Sequence, residues 1–405
     1  MAVGPQSKIS ITPIGGVRLA AVESQIRYAN RLDLVLIEIA EGSTTVGAFT
    51  QNAFCAAPVR IAKQRVEHSA SRYFLINTGN ANAGTGPQGK LAAMACCEGL
   101  AEIAETSSEQ ILPFSTGVIG EQLPSDRILA ALPRLYAALS ADAWQSAAQG
   151  ILTTDTRPKL ASVSFAVNSS QVSISGFAKG SGMIRPNMAT MLAYVFTDAQ
   201  IDRPLLEKFL ASAVNNSFNR ITVDGDTSTN DCCMLVATGK GALVITDTDS
   251  EAATQFQSKL NAVFEQLAMD LIRDAEGASK FITIEVNEGA SEQECSAVAY
   301  VVAESPLVKT AFFASDPNWG RILAAIGRAG LGDLDIEAVT VALGDILLVS
   351  KGAVDAQYSE SAGQAEMDKD EIRVRINLGR GKASTRVWTS DLSNEYVRIN
   401  ADYRS

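Results

Sequence analysis

Histidine is almost absent from this chain, which has one among its 405 residues. That residue, His68, lies in the polar amphipathic stretch IAKQRVEHSASRY and is expected to be a solvated helix residue rather than a catalyst. A zinc site with two histidines is therefore excluded, and a Ser-His-Asp triad would depend on His68 alone. If the protein is a hydrolase or a transferase, another group must accept the proton.

Long apolar runs and paired cysteine motifs are also missing. No run of about 18 apolar residues is available to span a membrane, and the first residues lack the basic and apolar regions of a secretory signal. The six cysteines include two adjacent pairs, which suit neither a disulfide framework nor the C-x-x-C spacing of a zinc site. We therefore expect small core cysteines in a reducing compartment, and a cytoplasmic protein.

The charge balance is acidic, with a formal net charge of −11 that is spread along the chain. Nucleic acid binding needs clustered Lys and Arg, so this partner is not expected. Hydrophobic residues make up 46% of the chain and charged residues 20%, which is the balance of a protein with a sizeable core. The sequence implies no cofactor and no metal.

Apolar patterns with helical and strand periods alternate along the chain. They predict strands at 32–40 and 73–77, helices at 90–105 and 204–218 with Asp202 as a cap, a hairpin across 162–177, a long amphipathic helix containing Phe256 and Leu271, and a terminal strand pair in EIRVRINLG and STRVWTS. The predicted fold class is mixed α/β, with largely antiparallel sheets layered with helices.

The most unusual segment runs from 177 to 199. Glycines at 180 and 182 and the Pro186-Asn187 pair indicate an irregular path, after which MLAYVF (191–196) reads as a buried strand. Thr190 lies at this junction. One interpretation is a turn that a threonine caps.

A second interpretation of Thr190 supplies the missing base. A threonine hydroxyl is a weak nucleophile until a base accepts its proton. If the bond between Ala189 and Thr190 is cut, Thr190 gains an α-amine with a reference pKa of about 7.7–8.0 beside its own hydroxyl. Before the cut, the same hydroxyl can attack the carbonyl of Ala189.

The segment AKGSGMIRPNMATMLAYVFTDA closely resembles the self-cleavage segment of the ornithine acetyltransferase family, also called glutamate N-acetyltransferase. Further blocks agree in order across essentially the whole chain: FSTGVIGEQLP, ILTTDTRPK, NRITVDGDTSTND, DAEGASK, KTAFFASDPNWGRILAAIG and YVRINADYRS. The resemblance implies a self-cleaving acetyltransferase/aminopeptidase-type fold. It also implies an N-terminal fragment, 1–189, and a C-terminal fragment, 190–405, that begins with the nucleophile.

The resemblance implies a ping-pong acetyl transfer in arginine biosynthesis. Thr190 would take the acetyl group from N-acetylornithine and glutamate would receive it, while Thr116 and Gly117 would form the oxyanion hole. Whether acetyl-CoA is a second donor stays open, and the family pattern is a heterotetramer with two copies of each fragment. The implied substrate-binding residues are Thr153, Lys179, Thr190, Glu276, Asn400 and Ser405.

Some of these roles have alternatives in the sequence. Lys179 suits a substrate α-carboxylate and Glu276 suits the side-chain amine of ornithine, although without the resemblance both would be unremarkable surface charges. Thr154 or Thr156 could replace Thr153 in the same loop. Ala275 stands where the family usually has glycine and Ser405 where it usually has threonine, so the backbone before Glu276 and the affinity for substrate could differ.

Other classes of protein remain open. A self-processed amidohydrolase or aminopeptidase would follow the same route to the acyl-enzyme and would use water as the acceptor. A phosphotransferase would use NTGNANAGTG (77–86) as a phosphate loop and Asp224, Asp226 and Asp231 as magnesium ligands, although no Walker spacing is present. A non-catalytic binding protein would have no use for the Ala-Thr junction.

Overall fold

The computed structural model describes residues 2–5, 10–167, 170–185 and 191–402. Ala189, Thr190 and Ser405 therefore lie outside the described residues, as do Asn168 and Ser169 of the predicted hairpin turn.

Strands occur along the whole described chain: β1 (Val17–Val22), β2 (Leu34–Ile39), β3 (Thr44–Phe49), β4 (Tyr73–Asn80), β5 (Ile111–Val118), β6 (Lys159–Val167), β7 (Ser170–Lys179), β8 (Leu192–Thr197), β9 (Gln200–Ile201), β10 (Cys232–Ala237), β11 (Val244–Ile245), β12 (Phe281–Gly289), β13 (Thr340–Leu343), β14 (Ile346–Ser350), β15 (Ala353–Val354), β16 (Glu371–Asn377) and β17 (Ala383–Ser390).

The helices lie between them: α1 (Ala57–His68), α2 (Gly86–Ala104), α3 (Ser125–Ala137), α4 (Trp144–Gly150), α5 (Arg203–Asn216), α6 (Glu251–Arg273), α7 (Glu292–Ala303), α8 (Pro306–Phe313), α9 (Trp319–Gly327), α10 (Glu360–Met367) and α11 (Asn394–Ala401). None of the helices in the described ranges is long and apolar enough to cross a membrane.

Two sheets pack face to face and form the centre of the molecule. One has the order β1-β2-β4-β5 and the other β3-β10-β8-β7-β6. Apolar side chains from both sheets share one core, in which Phe74 and Phe114 of the first sheet contact Tyr194 of the second. Such alternating burial follows from the two-residue period of a strand.

Helices cover the outer faces of both sheets. Leu100 of α2 and Leu132 of α3 pack with Leu34 and Leu36 on the outer side of the four-stranded sheet. On the other side, α5 and α6 cover the five-stranded sheet, where Phe209, Phe256 and Phe264 are buried. The result is a helix–sheet–sheet–helix arrangement of four layers.

A third sheet lies C-terminal to these layers and has the order β15-β14-β13-β16-β12-β17. The predicted pairing of EIRVRINLG with STRVWTS is wrong, because β12 separates β16 from β17. β12 pairs with β16 in parallel and with β17 in antiparallel orientation. Strand patterns in a sequence indicate which faces are buried but not which strands become neighbours.

Most other predicted elements are confirmed in type and position. β6 and β7 form the antiparallel hairpin, with Val167 opposite Ser170. The long helix α6 begins after Ser250, whose hydroxyl accepts a hydrogen bond from the N–H of Ala253 at 3.1 Å. Asp202 occupies the N-cap position of α5, as predicted, although its side chain makes no capping hydrogen bond.

Candidate active site

A cavity of about 250 Å³ opens where the ends of several strands meet. The C-terminal ends of β5 and β7, the N-terminal ends of β8 and β10, the turn after α6 and the helix α11 surround it. The described residues that line it are Ala81, Thr116, Gly117, Val118, Ile119, Thr153, Thr154, Lys179, Gly180, Ser181, Gly182, Met183, Met191, Leu192, Ser228, Thr229, Asn230, Asp231, Glu276 and Asn400.

The end of β5 approaches the backbone of β4 closely at Gly117. The two strands are parallel, and their register shifts at Asn80. Gly117 has a φ of +134°, and a Cβ atom there would lie 2.3 Å from the carbonyl carbon of Gly79. Only glycine fits this position. Gly79 of the glycine-rich run 77–86 therefore lies at the close approach of the two strands, beside Thr116, which is 7% exposed.

Lys179 supplies a positive charge to the cavity. Its Nζ donates a hydrogen bond to Oγ1 of Thr153 at 3.1 Å, and among the described residues no carboxylate forms an ion pair with it. Burial lowers the pKa of Lys179, while the carboxyl groups of Asp155 and Asp231 act in the opposite direction. A lysine without a carboxylate partner at a cavity wall can bind a substrate anion.

A buried group of one lysine and two carboxylates holds the loop that carries Thr153. Nζ of Lys159 forms ion pairs with Asp155 and, at 2.6 Å, with Asp274, and all three side chains are at most 1% exposed. Burial alone would raise the pKa of Asp155, but the ammonium groups of Lys159 and Lys179 hold it well below its usual range.

Asp155 also holds two backbone segments next to Lys179, one at Thr153 and one at Gly180. Its carboxylate accepts the N–H of Thr153 at 3.1 Å and the N–H of Gly180 at 2.8 Å. Thr156 turns away from the cavity, since both its N–H and its hydroxyl donate to Asp274. Of the three threonines that the sequence left open, Thr153 and Thr154 line the cavity and Thr156 does not.

Glu276 supplies a negative charge opposite these groups. Its Oε1 accepts from the hydroxyl of Thr154 and its Oε2 from the side-chain amide of Asn400, each at 2.7 Å. Burial raises the pKa of Glu276, while these two hydrogen bonds lower it. Because a Cβ atom on Gly182 would lie 2.4 Å from Oε2, that glycine makes room for the carboxylate.

Alanine at position 275 leaves the local backbone unstrained. Ala275 is not among the residues with positive φ, whereas Gly277 has a φ of +68°. A Cβ atom on Gly277 would lie 2.5 Å from the backbone nitrogen of Tyr396. The position in this turn that requires glycine is thus 277, and alanine is compatible with the path before Glu276.

The three aspartates considered as magnesium ligands do not form a cluster. The carboxylate of Asp224 accepts the N–H groups of Met183 and Ile184 at 2.6 and 2.9 Å, which fixes the loop after β7. Asp231 instead lines the cavity. Within the described ranges no group of three or more His, Cys, Asp or Glu side chains could hold a metal ion.

The structure thus brings six of the predicted site residues to one cavity: Thr116, Gly117, Thr153, Lys179, Glu276 and Asn400. Ala189, Thr190 and Ser405 lie outside the described residues, but Met191, the residue after Thr190, is part of the wall. Sequence reasoning missed the group formed by Asp155, Lys159 and Asp274. No local signal could have revealed it, because Asp274 is more than a hundred residues from the other two.

The whole cavity-forming region matches a known family model. The model of the ArgJ family aligns with residues 18–405. The chain belongs to the ArgJ family. The arginine biosynthesis bifunctional protein ArgJ of Pseudomonas fluorescens is 52% identical over 406 residues, which cover 100% of both chains. The protein of that name from Methylococcus capsulatus is 53% identical over 409 residues, again covering 100% of both.

A solved structure is also similar to this chain. The crystal structure of the arginine biosynthesis bifunctional protein ArgJ from Bacillus halodurans is 38% identical, covers 50% of this chain and 95% of its own, and gives a TM-score of 0.48. Membership in the ArgJ family confirms the predicted resemblance and, with it, an acetyltransferase of arginine biosynthesis. The mixed α/β fold class is confirmed as well.

Proposed function

We propose that this ArgJ-family chain transfers the acetyl group of N-acetylornithine to glutamate through an acetyl ester on Thr190, after cutting itself between Ala189 and Thr190. The observation that carries the proposal is the composition of the cavity beside Met191. It combines Thr116 and Gly117 with a cation, Lys179, and an anion, Glu276.

Each step of the proposed reaction has a group to perform it. The hydroxyl oxygen of Thr190 attacks the acetyl carbonyl, its proton passes to the α-amine of the same residue, and the amide C–N bond breaks. The leaving ornithine amine takes that proton. Glutamate then attacks the acetyl ester through its amine and regenerates the hydroxyl. Both tetrahedral intermediates need oxyanion donors, the proposed role of Thr116 and Gly117.

The charges in the cavity suit both substrates. N-acetylornithine and glutamate each carry an α-carboxylate, for which Lys179 is the available cation. The side-chain amine of ornithine suits Glu276, which Thr154 and Asn400 already orient. Acetyl-CoA remains a candidate second donor, since the relatives are named bifunctional proteins.

The topology favours two fragments that stay together after the cut. β3, β6 and β7 precede the junction, whereas β8 and β10 follow it, and all five strands share one sheet. β8 is hydrogen-bonded to β7 on one side and to β10 on the other. Fragments 1–189 and 190–405 are therefore proposed as interleaved parts of one fold. The cytoplasmic location and the assembly from two copies of each fragment stay predictions from the sequence.

The first test is the variant Thr190→Ala. We expect it to remain a single chain on a denaturing gel and to give no acetyl transfer, because the nucleophile of both reactions is removed. The matched control is Thr310→Ala, whose hydroxyl donates to backbone carbonyls of its own helix and accepts from the Arg321 guanidinium at 3.3 Å, outside the cavity wall. This control should be cut and active. Transfer by intact Thr190→Ala protein would contradict the mechanism.

The acceptor distinguishes the transferase from an amidohydrolase. Purified wild-type protein is incubated with N-acetylornithine in the presence and absence of glutamate, and products are measured by mass spectrometry. Formation of N-acetylglutamate supports the proposal. Release of acetate at the same rate with or without glutamate would support hydrolysis instead. A parallel incubation with acetyl-CoA tests the second donor.

A further inference from the structure

Asp231 is a buried acid with no role in the proposed reaction so far. It is 3% exposed, it lines the cavity, and its Oδ2 has no hydrogen-bond partner among the described residues. A buried polar atom without a partner costs free energy, so such an atom at a cavity wall indicates a missing donor.

The sheet register places Asp231 beside the start of β8. β10 and β8 pair in parallel with Cys232 opposite Leu192, and the N–H of Cys232 donates to the carbonyl of Met191 at 2.9 Å. Asp231 precedes Cys232 and Met191 precedes Leu192, so Asp231 lies beside Met191. Neighbouring strands are about 4.8 Å apart, so Asp231 is next to the residue at which the described chain resumes.

Among the described residues, no Lys, Arg or His forms an ion pair with the Asp231 carboxylate. Lys179 on β7 acts on it from a distance, without an ion pair, and the Asp231 charge in turn acts on the thiols of Cys55 and Cys232. Burial raises the pKa of the Asp231 carboxyl well above its ordinary value, while the nearby Ser228 and the charge of Lys179 act in the opposite direction. Burial likewise raises the pKa of both thiols, so they carry no charge near neutral pH.

We propose that the Asp231 carboxylate binds the α-amine of residue 190 in the cleaved protein and orients it toward the hydroxyl of the same residue. The inference rests on the proposed cut, which creates that amine one residue before Met191. The amine supplies both the hydrogen-bond donor that Oδ2 lacks and a positive charge that offsets the cost of burying the carboxylate. Asp231 is thus a positioning residue that acts through the amine.

The test variant is Asp231→Asn, which keeps the size and an acceptor oxygen but removes the charge. An adjacent carboxylate favours the protonated amine, so its removal lowers the pKa of the amine, by about one unit on the usual scale for such pairs. The acid limb of the pH profile of kcat/KM should therefore move to lower pH by about one unit. The plateau value of kcat should fall because the amine is no longer oriented.

A second readout does not depend on activity. The α-amine of residue 190 in cut protein is labelled with acetic anhydride at a series of pH values, and the labelled N-terminal peptide is measured by mass spectrometry. The proton affinity of the amine should fall about tenfold in Asp231→Asn. If wild-type protein is cut but transfers no acetyl group, the proposed function fails, yet the labelling experiment still decides the role of Asp231.

The matched control is Asp391→Asn. Asp391 is also 3% exposed, but its carboxylate accepts the N–H groups of Ser279 and Lys280 outside the cavity wall. It should lower the unfolding temperature without moving the acid limb. An acid limb and an amine proton affinity equal to those of wild type in Asp231→Asn would overturn the proposal.

Two further outcomes are decisive. An Asp231→Asn chain that folds but stays uncut would assign the carboxyl group to scission and would also overturn the proposal. If Asp231→Asn fails to fold, Asp231→Glu keeps the charge but changes its distance from the amine. It should give a smaller shift in the labelling curve, and no shift in that variant would contradict the inference.

Discussion

Two buried lysines show how the cavity region differs from the C-terminal sheet. Lys159, at the edge of the paired central sheets, contacts two buried carboxylates. Lys309, on α8 beside the six-stranded sheet, is 3% exposed and donates only to neutral oxygens of Thr389 and Ser390. Among the described residues it forms no ion pair, and burial lowers its pKa to about 8.

The difference follows from what each lysine supports. Lys159 fixes Asp155, and Asp155 fixes the backbone of Thr153 and Gly180 at the cavity. The six-stranded sheet contributes no residue to the cavity wall within the described ranges. The ion pairs of Lys159 are thus buried where polar loops must keep one geometry, whereas ion pairs of the C-terminal sheet such as Arg373–Glu285 lie at its surface and its interior is apolar.

The largest effect is expected from Lys159→Met. Removal of the ammonium leaves Asp155 and Asp274 buried without their cation, which costs about 3–5 kcal/mol of unfolding free energy. Acetyl transfer should fall as well, since the Thr153 loop loses its anchor. Chemical denaturation and initial rates measure the two effects. Lys208→Met, on an exposed face of α5, is the control, and equal losses in both variants would contradict the role given to the buried ion pairs.

A smaller effect with a defined pH dependence is expected from Lys309→Met. The pKa of Lys309 is about 8 in the folded protein and about 10.4 when unfolded. Between these values the unfolded chain binds the proton and the folded protein does not, so wild-type stability rises with pH. The gain relative to Lys309→Met should approach about 3 kcal/mol at most. Denaturation curves from pH 7 to 10.5 measure it, and a constant difference would contradict the account.

The smallest effect is expected from His68→Ala. The side chain at the end of α1 is 73% exposed and lies outside the cavity wall. Stability should change by less than about 0.5 kcal/mol, and acetyl transfer should be unchanged. A large loss of activity would instead show that histidine takes part in proton transfer, against a threonine amine as the base.

Much of the local structure could be predicted from residue patterns. The spacing of Phe256, Leu260 and Leu267 predicts α6, because one helical face must be buried. Alternation of serine with apolar residues predicts the β6–β7 hairpin. These features depend on neighbours in sequence, so the sequence specifies them without knowledge of distant contacts.

The strand order of the C-terminal sheet could not be predicted in the same way. β16 and β17 are close in sequence and have similar patterns, yet β12 pairs with both. Which strands become neighbours depends on how α7 and the apolar core pack against the sheet. These long-range contacts are not visible in the residue pattern of β16 or β17.

The sequence by itself determined the scarcity of histidine, the ordered blocks of the ArgJ family and the residues that could replace a missing base. Only the tertiary structure decided that Thr156 faces Asp274, that Lys159 pairs with the distant Asp274 as well as with Asp155, and that Asp231 reaches the cavity wall. The physical reason is that burial and charge pairing depend on distances between remote parts of the chain, which are fixed only when the sheets and helices pack together.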